Sequence, residues 1–352
     1  MLRQLGRLTR PVPAAGPRAL AVAVYADATD RAVTARESGF EGVACVDDAA
    51  RLLDVLCGVW LRTRTPWAER WASGLTEFVL WMQEPDGRWI NFVTAWDGSR
   101  NDTGITSRAG ENFWHARALV GLSHAWIAMG DQRVRTALER GLEHAVASPA
   151  APDVRALHVL AALRLATADE SMSLASALAS WCDEIVSCTD ARGALKNSPY
   201  ERETPHLWAH LQEGVLADAS TFLGEARYGD AAIRSGELLV APAIRNEFVT
   251  ARSPYDVASC VYDCDRLHAL TGDARWADLA ADARAWFDGR NPAGRPVYDR
   301  TRGRVADGVD GDRVSQNSGA ESNIVAAEAL FEEVVELAQR LDDPLASPDT
   351  VG

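Results

Sequence analysis

Apolar residues recur at i, i+3, i+4 and i+7 along most of the chain, while alternating runs of β-branched residues bounded by turns do not recur. The first pattern lays an apolar stripe down one face of a helix. It predicts helices over Asp47 to Leu61, Trp67 to Met82, Asn112 to Met129, Arg133 to Ala147, Val154 to Ala166 and Ser171 to Val186. It continues over His206 to Phe222, Ala231 to Val240, Val257 to Leu270, Ala274 to Phe287 and Ala320 to Leu341.

Three junctions share a signature. Gly130-Asp131, Gly229-Asp230 and Gly272-Asp273 each combine a residue suited to the left-handed position past a helix end with one that caps the next helix. Each reads as a tight link between antiparallel helices. Helical hairpins repeating along a chain of this size predict an all-α fold, an (α/α)6-type toroid. The expected organisation is a loose N-terminal tail over 1–17, one barrel domain over 18–342 and a loose C-terminal tail over 343–352. Longer polar linkers run from Glu84 to Ser107, Thr189 to Thr204 and Gly289 to Gly319. Function concentrates on such loops when a rigid scaffold holds them.

Composition narrows the class. With 47% hydrophobic and 24% charged residues the chain is an ordinary globular one, which excludes wholesale disorder. A formal net charge of -14 repels phosphate, so nucleic acid and anionic membrane surfaces are poor partners. No apolar run approaches the roughly 20 residues that span a bilayer. The arginines at positions 3, 7 and 10 are not followed by a signal-type core, and the protein is expected to be cytoplasmic. Six cysteines lie mostly within apolar helical patterns and are expected as buried thiols. Cys260, Cys264 and His268 share a stripe, but no fourth ligand is evident, so neither metal nor cofactor is expected.

Three segments carry candidate chemistry. Asp47 and Asp48 open a helix, where the dipole favours negative charge, and Arg51 lies three residues beyond Asp48. One aspartate can cap while the other points into a cleft, or both can be first-turn residues only. In the second segment, Arg108, Glu111, Asn112, Trp114 and His115 cluster where a long loop enters a helix. Glu111 and His115, four apart, share a face. In the third, Asn317 and Glu321 offer hydrogen bonds of the kind a polyhydroxylated ligand needs.

Tryptophan supplies 12 of the 26 aromatic residues, and Trp89 and Trp96 lie in a polar loop with Asn91 rather than in an apolar stripe. Rings on loops stack on the CH faces of sugars, so carboxylates beside aromatics favour a carbohydrate cleft. The expected catalytic groups are Asp47, Asp48 and Glu111. Arg51, Trp89, Asn91, Trp96, Arg108, Asn112, Trp114, His115, Asn317 and Glu321 are the expected binding groups for an oligosaccharide or glycoside.

The segments Cys45-Val46-Asp47-Asp48-Ala49-Ala50-Arg51, Asp86-Gly87-Arg88 with Asn91-Phe92, and His115-Ala116-Arg117-Ala118-Leu119 together resemble a bacterial helical-barrel family of the six-hairpin glycosidase-like class. So do Gly289-Arg290-Asn291, Val297-Tyr298-Asp299, Asp307-Gly308 and Asn317-Ser318-Gly319-Ala320-Glu321-Ser322, in matching order from about residue 38 to 335. The resemblance implies a pathway shared with a glycosyltransferase or a glycoside phosphorylase. The family pattern has an acidic pair just before the histidine motif, where this chain has Asn112 and Phe113. Three activities follow as expectations: first a glycoside hydrolase with a carboxylate acid/base pair, then a sugar-binding or assembly module without turnover, then a sugar epimerase or isomerase.

Overall fold

A computed structural model of the chain describes residues 1–33, 41–110, 112–169, 172, 174–250 and 252–346. These residues are mostly helical and form two compact units. Unit 1 takes Met1–Pro149, Tyr298–Asp307 and the chain from Gln316; unit 2 takes Ala150–Val297 and Gly308–Ser315.

Unit 1 opens with α1 (Leu2–Leu8), then the antiparallel pair β1 (Thr9–Pro11) and β2 (Leu20–Val22). After the short pair β3 (Tyr25–Ala26) and β4 (Ala32–Val33), β5 (Ala44–Cys45) leads directly into α2 (Val46–Thr63). α3 (Pro66–Trp81), β6 (Phe92–Val93), α4 (Phe113–Met129) and α5 (Gln132–Ala147) follow. The unit closes with β7 (Tyr298–Asp299), β8 (Arg304–Val305), α13 (Ala320–Ala329) and α14 (Phe331–Ala338). Unit 2 contains α6 (Pro152–Ala168), α7 (Ala175–Ser187), α8 (Gln212–Leu223), α9 (Ala226–Leu238), α10 (Val240–Arg245), α11 (Pro254–Thr271), α12 (Ala274–Arg284) and the pair β9 (Val309–Asp310) and β10 (Arg313–Val314).

Most helices fall close to the segments that periodicity marks, because each apolar stripe finds a partner; the exceptions are the helix expected from His206, which begins at Gln212, the one expected from Ala231, which begins at Ala226, and Ala320 to Leu341, which divides at Leu330. In unit 1, α2 packs against α3, α4, α13 and α14. Leu52, Leu53, Leu56 and Val59 of α2 are fully buried, and each such side chain contributes about 1.5–3 kcal/mol of transfer free energy. The α2–α4 approach is very close: a Cβ at Gly121 would lie 2.5 Å from the carbonyl oxygen of Ala50. Only glycine allows this spacing, which lets α2 and α4 approach closely. In unit 2, α6 pairs with α7, α8 with α9, and α11 with α12, while α8 also packs on α6 and α11.

Two of the three Gly-Asp junctions have the expected form. Gly130 and Gly272 take left-handed C-cap conformations, and Asp131 and Asp273 accept from the backbone N–H groups of Arg133 and Arg275. Gly229-Asp230 does not, because it lies inside α9. The link between α8 and α9 is Gly224, with φ of 71°, followed by Glu225. Gly229 is buried, and a Cβ there would press on Ser220 and Leu270, so its glycine serves packing rather than a turn.

Residues 1–17 are not a loose tail. Leu2, Leu5 and Leu8 are buried on one face of α1, which packs against α13, and β1 pairs with β2. Three arginines in the segment mask a short amphipathic helix whose apolar positions are three apart. At the other end, Pro344 is buried near Gly6, and residues 347–352 lie outside the described residues. No described helix is long and apolar enough to cross a membrane.

Candidate active site in unit 1

The site grows from the start of α2. β5 pairs with β6 so that Cys45 lies opposite Phe92, which sets Asn91 beside the helix N-terminus. The carbonyl of Asn91 accepts from Val46 N–H at 2.8 Å, and its side-chain oxygen accepts from Asp47 N–H at 3.1 Å. The Cys45 thiol sulfur accepts from Asp48 N–H at 3.4 Å. Orphan donors of the first turn are thereby satisfied by neighbours other than the aspartate side chains, which leaves both carboxylates available.

Those carboxylates turn toward arginines. Arg51 places Nε 3.2 Å from Asp47 Oδ1 and Nη2 2.7 Å from Asp48 Oδ1. The same Nη2 lies 3.1 Å from Glu321 Oε1 on α13. Arg117, on α4, makes a second ion pair with Asp47. Three helices thus converge on two guanidinium groups. The Asp48 side chain is 4% exposed, Asp47 18% and Glu321 50%, so the cluster grades from core to solvent.

Electrostatics splits the acids. Burial opposes ionisation of Asp47, but Arg117 and Arg51 outweigh it and hold its pKa below the ordinary value. Burial pushes Asp48 up to about 6; Arg51 opposes this, while Asp47 and Glu321 add to it. Burial likewise raises Glu328 of α13 to about 7, against the pull of Arg51 and Arg117. Glu328 is nevertheless exposed to solvent on the outer face of α13.

The cluster extends along all three helices at a spacing of seven residues, two helical turns. Asp54 follows Asp47, His124 follows Arg117, and Glu328 follows Glu321. His124 Nδ1 is 2.7 Å from Asp54 Oδ1. Tyr25 and Asp307 border the upper layer. Burial first, then Glu321, Asp48 and Asp307, raises the Tyr25 hydroxyl above its ordinary range. Asp307, raised chiefly by burial, accepts from Gly319 N–H at 2.7 Å and from the Ser322 hydroxyl at 2.9 Å. Among the described residues no group of three His, Cys, Asp or Glu side chains is arranged to hold a metal.

The sequence candidates divide. Asp47, Asp48, Arg51 and Glu321 come together as described. Glu111 lies outside the described residues. Asn91 is buried, and its amide also donates to the carbonyl of Thr106, so it shapes the helix start instead of presenting itself to a ligand. Asn112 caps α4 by accepting from His115 N–H. Trp89 is a correction: its ring is fully buried and Nε1 donates to Val79 O at 2.9 Å, which leaves no face for a sugar. The ring fills the space above Gly141, an apolar role that its polar sequence neighbours conceal. His115 is a second correction. Fully buried, it contacts Gly141 O through Nε2 at 3.2 Å and lies edge-on between Trp89 and His144. Trp114 is half-buried and donates to Trp89 O, Trp96 is half-buried, and Arg108 and Asn317 are exposed.

Arg117, Glu328, Asp54, His124 and Tyr25 were not among the sequence candidates, and Asp307 entered only through the Asp307-Gly308 motif. Arg117 was visible within the His115-Ala116-Arg117 motif. Glu328 could have been found by following Glu321 two turns along its helix.

No family model matches the chain, and no curated protein matches it by sequence. Solved structures do match. A D-mannose isomerase aligns with TM-score 0.69 at 10% identity over 95% of each chain. Cellobiose 2-epimerase from Spirochaeta thermophila DSM 6192 aligns with TM-score 0.62 at 13% identity, over 84% of this chain and 87% of its own. A GH76 α-mannanase from Bacteroides thetaiotaomicron aligns with TM-score 0.55 at 12% identity, over 86% and 89%. The likeness to these structures is one of fold, the all-α (α/α)6 type.

Proposed function

We propose that this protein is a carbohydrate-active enzyme that hydrolyses a glycoside at the charged cluster of unit 1. The carrying observation is a pair of carboxyl groups with opposite tuning under the influence of the same two arginines. Asp47 is held ionised, and Glu328 keeps its proton to about pH 7. Environments that push two acids apart assign their roles. Asp47 takes the proton of the attacking water, and Glu328 gives its proton to the leaving oxygen as the glycosidic bond breaks. Arg51 and Arg117 orient Asp47, and Glu321, half in solvent, accepts from sugar hydroxyls. Asp48, almost closed off from water, positions Arg51 from the inner side. Glu111 stays a candidate second carboxyl, and Trp96 and Trp114 are candidate stacking rings. A glycosyltransferase or glycoside phosphorylase acting on the same saccharide is the pathway partner that the sequence resemblance suggests.

The test is a panel of aryl glycosides and manno-oligosaccharides scored for reducing-sugar release. Asp47→Asn and Glu328→Gln are each expected to lose about 10²–10⁴-fold in turnover with unchanged circular dichroism. Undiminished release in both variants refutes the assignment. An epimerase or isomerase reading is favoured by the fold shared with a mannose isomerase and a cellobiose epimerase. Incubating free aldoses in D2O separates the two: deuterium entering at the carbon next to the carbonyl indicates isomerisation, and new reducing ends indicate hydrolysis. Saccharide binding with neither product indicates a module without turnover.

A further inference from the structure

Unit 2 contains a polar network sealed from solvent. His210, Gln212, Glu213, Ser235 and Asp263 are fully buried, and Asn197 nearly so. Its hydrogen positions follow from its partners. The side-chain N–H of Asn197 donates to His206 O at 2.9 Å, a group that can only accept. The Asn197 side-chain oxygen therefore faces His210 Nδ1 at 2.6 Å and Gln212 Nε2 at 2.8 Å. An amide oxygen has no hydrogen, so His210 Nδ1 carries one. Its other nitrogen, Nε2, lies 2.9 Å from Glu213 Oε2. A neutral imidazole protonated at Nδ1 would point a lone pair at a carboxylate there. Contact at this distance requires a proton between them, on the ring or on the carboxyl. Ser235 Oγ lies 2.5 Å from the other carboxyl oxygen, Oε1, and accepts from Leu195 N–H at 2.8 Å.

We propose that one proton held between His210 and Glu213 clasps the strap of residues 195–210 onto α8 and α9. Three strap positions close on this network: Leu195 through Ser235, Asn197 through His210 and Gln212, and His210 itself. The strap displays what the clasp orders. Tyr200 is exposed, and the Trp208 ring stacks on His206 with centroids 3.8 Å apart. Arg202, within the strap, is also exposed. Titratable groups turned toward the pair are Asp153 on α6, Glu201 and His206 on the strap, and Asp263, Cys260 and Cys264 on α11. Burial, then Glu213, raises Asp263 well above the ordinary range. Replacing Glu213 by an apolar residue removes the acceptor that His210 Nε2 faces and frees the strap.

Nitrogen-15 NMR of the intact protein reads the proton directly. Protonation at Nδ1 of His210, with Nε2 either protonated or accepting a hydrogen bond, is expected. A neutral ring protonated only at Nε2 overturns the proposal. Tryptic cleavage after Arg202 reads the strap. At neutral pH, Glu213→Leu, where it folds, should be cut about tenfold faster than the native protein, the order of one lost buried hydrogen bond. Glu213→Gln supplies an N–H to Nε2, so its cleavage should stay slow. Fast cleavage in Glu213→Gln, or slow cleavage in folded Glu213→Leu, overturns the proposal.

Discussion

Units 1 and 2 each bring carboxyl groups from separate helices into contact, yet they treat the charge in opposite ways. In unit 1, Asp47 meets two arginines, and the cluster opens through Glu321 to solvent. In unit 2, Glu213 meets an imidazole and a hydroxyl with no exposure at all. A charge in a partly wet cluster can persist when guanidinium groups offset its desolvation. A dry carboxyl is better served by sharing a proton. The first arrangement is suited to catalysis, which needs acids of unequal strength within reach of a ligand. The second is suited to holding a chain segment in place.

The largest expected effect that tests this contrast is removal of the shared cation. Arg51→Met leaves Asp47, Asp48 and Glu321 with one partner fewer in a largely buried site. It should cost about 3–5 kcal/mol in denaturant unfolding, and a cost below 1 kcal/mol would mean that the cluster is solvated after all. Next comes the close approach of α2 and α4. Gly121→Ala forces a methyl group to 2.5 Å from Ala50 O and should cost about 1–3 kcal/mol. Its turnover should also fall, because Arg117 is carried away from Asp47.

Two pH effects sharpen the comparison. If Asp47 is the base and Glu328 the acid, kcat/KM should decline as pH rises past about 7 and again as acid protonates Asp47. Glu328→Gln should remove the upper limb. Stability gives an independent readout. The folded pKa of Asp48, about 6, lies above its unfolded value, so its favourable contribution is complete in acid. That contribution is lost as pH rises from the ordinary aspartate range through about 6. Asp48→Asn should flatten this limb in urea titrations, whereas Asp47, with a depressed pKa, contributes stability that is lost as pH falls. The smallest effect belongs to a surface ion pair. Arg133, half in solvent beside Glu77, should tolerate glutamine at a cost below about 1 kcal/mol.

Much of the helical framework was legible because its signal is local. The stripe from Asp47 to Leu61 appears as Val46–Thr63, and that from Asn112 to Met129 as Phe113–Met129 capped by Asn112. Loops were less legible. Trp89 stands among polar residues in sequence, but the fold turns it inward. Glycine carries the same ambiguity: Gly130 and Gly229 both precede aspartate, and only packing makes one a cap and the other an interior contact.

The amino-acid sequence alone determined the helical class, most helix boundaries and the aspartate pair at the start of α2, since each depends on neighbours within a few residues. It could not decide which acids meet which arginines, because Asp47–Arg117 and Arg51–Glu321 join positions 70 and 270 residues apart. Protonation belongs to the same tertiary level. Two adjacent aspartates are equivalent in sequence, and only the guanidinium groups and the depth of burial around each one make them differ.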